Sequence, residues 1–155
     1  MLPSVHIRKE AFLVMVWAAK ETFKSECLGF LWGRLPSVNS NIFLINDAIP
    51  LQSVRRRLNT EVEQSKRGET RLHQLKESMG YSSIKSPGYF HSHNEWGESK
   101  PFNEMSKTDL KDMKKSGDKL EIIIAVASRK KGELPWVALS DGSIKGSFLD
   151  IIFHI

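Results

Sequence analysis

The chain has 155 residues, of which 40% are apolar and 26% charged, and carries a net charge of +5. That length suits one ordinary domain with a sizeable core, here residues 1–155, and is short for two. The composition excludes a disordered chain, and the longest apolar run, residues 11–19, falls short of the roughly 20 residues a membrane-spanning helix needs.

In chain order, residues 4–7 make a short extended start. Residues 9–24 predict a helix, because Phe12, Val16, Ala19 and Phe23 recur at helical steps while Leu13 and Trp17 widen the apolar face. Residues 26–33 and 41–51 predict strands, separated by a turn rich in Pro, Ser and Asn at residues 35–40. Residues 60–79 predict a charged helix with Leu72, Leu75 and Met79 at helical spacing near its end. Gly68 is its weak point, since glycine costs about 1 kcal/mol in a helix interior.

A strand over residues 86–91 then leads to His91 and His93, followed by a polar loop over residues 94–105 and a short helix over residues 106–115. Residues 120–127 predict a buried strand, and residues 136–139 and 144–153 predict antiparallel strands turning at Asp141 and Gly142. Trp17, Trp32 and Trp136 read as core residues. The expected fold is one α+β domain with a mostly central sheet.

The single cysteine, Cys27, excludes an internal disulfide and a four-cysteine zinc site; it fits a reducing compartment, and a cytoplasmic location is expected. No cleavable signal is evident at the start. Cys27 reads as a small core residue rather than a nucleophile. Basic residues cluster at Arg55, Arg56 and Arg57, at Lys114 and Lys115, and at Arg129, Lys130 and Lys131. Acidic residues are interspersed and no aromatic stacking platform accompanies them, so a solvated surface is expected and a nucleic-acid partner is not.

The chemistry concentrates in two short stretches. Strand side chains alternate between faces, so His91 and His93 point the same way and can converge on one ion. Asp109 offers a third ligand, and three protein ligands with an open position is the arrangement of a catalytic zinc. The chain is therefore a candidate metallohydrolase binding Zn2+. Ser106 with Asp109 three residues later also reads as a capping box, which would orient the helix start without conflicting with a ligand role. His6, His73 and His154 have no ligand-like neighbours in sequence.

Taken together, Gly88, Tyr89 and Phe90, then His91-x-His93, then Ser106-x-x-Asp109, with Glu26-x-x-Gly29-x-x-x-Gly33 far upstream, resemble the JAMM/MPN metalloprotease motif. The resemblance implies an MPN-like (cytidine-deaminase-like) domain with a central mixed sheet flanked by helices. It implies that His91, His93 and Asp109 hold Zn2+ with water in the fourth position. Glu26 would act as general base for that water, and Ser106 would hydrogen-bond the water or the developing oxyanion.

The implied reaction is hydrolysis of a peptide or isopeptide bond at the C-terminal tail of a ubiquitin-like protein or its conjugate. The compact chain is more similar to stand-alone prokaryotic or phage-like members than to subunits of larger complexes. Twelve residues separate His93 from Ser106, about five more than the family pattern, and such an extension costs little closure entropy. Trp96, in that extension, is a candidate substrate contact, and Asn94 stands where many members have proline. The alternatives are a catalytically silent MPN-fold binding or scaffold module, whose members usually lack the ligands present here, and a nucleic-acid-associated relative reading through the basic surface.

Overall fold

The structure, a computed structural model, describes residues 4–22, 25–52, 54–57, 62–81, 84–94, 105–126, 138–140, 143–145 and 149–154, with the backbone alone described in 54–57, 62–64 and beyond 126. The elements run β1 (Ser4–Ile7), α1 (Lys9–Glu21), β2 (Leu28–Arg34), β3 (Ile42–Pro50), β4 (Val54–Arg57), β5 (Val62–Gln64) and α2 (Lys66–Ser78). They continue as β6 (Lys85–Asn94), α3 (Lys107–Ser116), β7 (Leu120–Val126), β8 (Ala138–Ser140), β9 (Ser143–Lys145) and β10 (Leu149–His154).

Six strands form one mixed sheet in the order β1-β3-β2-β6-β7-β10. The β1–β3 and β6–β7 pairs are parallel, and the β3–β2, β2–β6 and β7–β10 pairs are antiparallel. The chain is thus a small α+β domain over the described residues. Among these, no helix is long and apolar enough to cross a membrane.

One sheet face packs on α1. The core joins Ala11, Met15, Ala18 and Ala19 of the helix to Leu31, Ile45, Phe90, Ile122 and Ile124 of four strands. The helix face expected from sequence is rotated here: Ala11 and Met15 lie at its centre, Phe12 is only partly buried, and Phe23 lies outside the described residues. The reason is steric. An all-apolar run offers several faces, and the alanines allow the helix to approach the sheet where an indole would not fit. Trp17 is accordingly turned outward and 62% exposed, contrary to its core reading. With Leu13 and Val14 it lines an open groove that Leu28 and Leu51 close from the strand side.

The middle segment departs furthest from expectation. The helix begins at Lys66 rather than at residue 60, and β4 and β5 form an antiparallel pair before it. None of the α2 residues is buried, and Leu75 and Met79 are exposed, so little core packing supports the helix. Gly68 falls in the first turn rather than in the interior. Trp32, read as core, is only half-buried and carries the Lys76 ammonium 5.9 Å above its ring.

At the C-terminal end, the stretch expected as one strand is two. β9 pairs with β8, whereas β10 pairs with β7 and closes the sheet edge. The turn at Asp141 and Gly142, and Trp136, lie outside the described residues.

The β6–α3–β7 unit positions the site. β6 is longer than expected, running straight through both histidines to Asn94, so Asn94 belongs to the strand and not to the following loop. Residues 95–104 of that loop, Trp96 among them, lie outside the described residues. Gly117, at φ 75°, ends α3 in the left-handed conformation that glycine adopts without penalty, and three residues later the chain enters β7. A tight approach sets the register: a Cβ on Gly88 would stand 1.8 Å from the Leu120 carbonyl oxygen. Gly88→Ala is therefore expected to destabilise the fold by at least 1–3 kcal/mol, measured as a lowered urea midpoint.

Candidate metal centre

Two strands and one helix end supply the centre. On β6, Phe90 faces α1 and the core, so His91 and His93 face the opposite side. Both are buried, His91 to 4% exposure. On the same side, β7 presents Glu121 to His91.

Helix α3 brings the third group. It starts at Ser106, whose Oγ accepts a hydrogen bond from Asp109 N at 3.1 Å, while Asp109 Oδ2 accepts from Ser106 N at 2.7 Å. This is a complete capping box. α3 ends shortly before the β7 entry, and the seven residues from its last, Ser116, back to Asp109 span about 10 Å at 1.5 Å per residue, or about three residues of adjacent strand. That reaches the level of Ile123, the register partner of His91. Asp109 therefore arrives beside the histidines.

The three groups converge. The two Nε2 atoms are 2.9 Å apart, and Asp109 Oδ1 and Oδ2 lie 3.8 Å from His91 Nε2 and 3.6 Å from His93 Nε2 respectively. Tetrahedral ligand atoms about 2.0–2.1 Å from an ion stand about 3.3 Å apart, and these separations bracket that value. His91, His93 and Asp109 can thus hold one metal ion, with donor atoms within 4.8 Å of one another.

Charge favours the same outcome. Burial pushes the Asp109 carboxyl up, but the hydrogen bond to His93, the field of His91 and the two bonds to Ser106 together hold it well below the usual carboxylate range. It is an anion ready to ligate at neutral pH.

Glu26 lies two residues before β2 begins. Leu28 pairs with His91, and Ser92 N donates to Cys27 O, so the antiparallel register sets Glu26 across from His93, on the histidine face. Its side chain is buried at 8% exposure. Cys27 is buried, and its backbone N–H donates to Ser92 Oγ, locking β2 to β6 on the other side of the ligand pair. Asn94, the next residue after His93, is buried, and neither amide atom has a hydrogen-bond partner among the described residues.

Of the residues singled out from sequence, His91, His93, Ser106 and Asp109 are brought together by direct contacts, Glu26 is placed by strand register, and Trp96 lies outside the described residues. His6 and His73 are exposed and stand apart from the cluster. Sequence reasoning missed Glu121, whose Oε1 lies 2.9 Å from His91 Nδ1. The available signal was a lone acidic residue in an otherwise apolar strand.

The site is therefore a potential metal centre set in a small α+β domain. The chain matches no protein-family model and no curated protein. The solution structure of protein DSY2949 from Desulfitobacterium hafniense is similar at a TM-score of 0.54 and 20% identity, over 79% of this chain and 74% of that one. At that identity the likeness is one of fold alone.

Removing the cap hydroxyl with Ser106→Ala should lower the unfolding free energy of the metal-free chain by about 1 kcal/mol, read from urea denaturation. Metal binding should weaken as pH falls, because protons compete with the ion for the ligand nitrogens; native mass spectrometry reads the bound ion. Asp109 does not set that weakening. Its depressed carboxyl contributes stability above its unfolded pKa, and that contribution disappears only as pH falls through the lower folded value.

Proposed function

We propose that this chain is a zinc-dependent hydrolase of peptide or isopeptide bonds, of the JAMM/MPN type and with an MPN-like fold. The observation that carries the reading is the convergence of His91, His93 and Asp109, with Glu26 set across from His93 just ahead of the neighbouring strand. Two histidines and one carboxylate are a donor set suited to zinc with a position left open. When bound there, zinc would polarise a carbonyl and lower the pKa of water towards about 7.

The chain's own residues supply the rest. The Glu26 carboxylate accepts a proton from the attacking water as the new bond to the carbonyl carbon forms. It then delivers that proton to the amine nitrogen as the carbon–nitrogen bond breaks, so the proton count balances. Ser106 Oγ accepts from Asp109 N, and its hydroxyl hydrogen, which bears on the Asp109 carboxylate in the resting chain, would turn to the oxyanion. Holding Asp109 through the same capping box couples the donor's position to that of the ligand.

The substrate class proposed is the C-terminal tail of a ubiquitin-like protein joined to an amine, and the proposed setting is the cytoplasm. The test is cleavage of a ubiquitin-like fusion by the zinc-loaded chain and by Glu26→Gln. The variant should retain zinc while kcat falls by about 10²–10⁴. Undiminished cleavage by Glu26→Gln would refute the general-base role. A chain that takes up no zinc would leave the silent binding module as the reading.

A further inference from the structure

Strand β7 is apolar along its length except at Glu121. Leu120, Ile122, Ile124 and Val126 pack in the core beneath α1, which leaves Glu121 on the histidine face. A carboxylate in this position is expensive to bury without a partner. An aliphatic residue would fill the space at no such cost.

Its partner is specific. In the parallel register Glu121 sits beside Tyr89 and Ile123 beside His91, so the glutamate arises two residues before the histidine and leans along the strand to meet it. Glu121 Oε1 lies 2.9 Å from His91 Nδ1, with the two side chains 12% and 5% exposed. A carboxylate only accepts hydrogen bonds, so Nδ1 must carry the proton. In the neutral ring, Nε2 is then unprotonated, and that is the atom turned towards His93 Nε2 and Asp109.

We propose that Glu121 is a positioning residue for the metal centre: it holds His91 in the tautomer that presents Nε2 to the ion and strengthens that nitrogen as a donor. With Asp109 it also supplies two negative charges, which balance a dication inside a mostly buried site. The proposal rests on the metal-binding reading of His91, His93 and Asp109, and goes beyond it by assigning a role to a residue outside the ligand set.

Two readouts test it. Long-range nitrogen–proton NMR of the metal-free chain at neutral pH should show His91 protonated on Nδ1, and Glu121→Ala should lose that preference. Zinc affinity, measured by competition with a chromogenic chelator, should weaken about 10–100-fold in Glu121→Ala. Glu121→Gln keeps an acceptor for Nδ1 without the charge, so it should retain the tautomer while its affinity falls between the other two. An unchanged tautomer together with affinity within about twofold of wild type in Glu121→Ala overturns the proposal, because a merely space-filling role moves neither readout. If Glu121→Ala does not fold, Glu121→Gln carries the test, and wild-type zinc affinity in that variant overturns the donor-strengthening role. A wild-type chain that binds no zinc overturns the metal reading itself, a result distinct from wild-type binding with an unaffected variant.

Discussion

The parallel pairing of β6 with β7, bridged by α3, is the constraint on which the site depends. Parallel neighbours cannot be joined by a tight turn, so the chain must cross over, and here it does so through a ten-residue helix. The close contact at Gly88 and the left-handed cap at Gly117 set where the crossover ends. Helix rise then sets where it begins, at the level of the histidines. Three ligands from two distant stretches meet because one short helix matches the length of strand it spans.

The two faces of the sheet divide the work. On the α1 face, alanines, Met15 and β-branched strand residues bury apolar surface and hold the sheet together. On the other, His91, His93, Asp109, Glu26 and Glu121 lie in positions that core packing would fill with aliphatic side chains. Polar groups there are costly unless they satisfy one another. The capping box, the His91–Glu121 bond and the depressed carboxyl of Asp109 show them doing so. Cys27, between Glu26 and β2, is bonded to Ser92 through its backbone N–H and carbonyl, which ties the chain next to Glu26 to β6.

The same polar arrangement gives the site its directionality. Glu121 orients the His91 ring through Nδ1, which leaves Nε2 turned towards His93 and Asp109. Asp109 is fixed by its own helix start. Little rearrangement is needed for the donor atoms to close on an ion, which keeps the cost of organisation in folding rather than in binding.

Much of this was readable in the residues alone. The alternation of β6, the His-x-His spacing and the Ser106–Asp109 cap are local properties, determined by strand and helix periodicity over a few residues. So were the α+β class, β1, the two long strands β2 and β3, and the buried strand β7. Only the tertiary structure decided which face of α1 is buried and why Trp17 turns outward, since an uninterrupted apolar run carries no phase of its own. It also decided that the charged middle segment splits into a strand pair and a shorter helix, and that β10 leaves its hairpin to pair with β7. Glu121 belongs to the same class: its partner lies thirty positions away, and strand register, a long-range property, makes the contact.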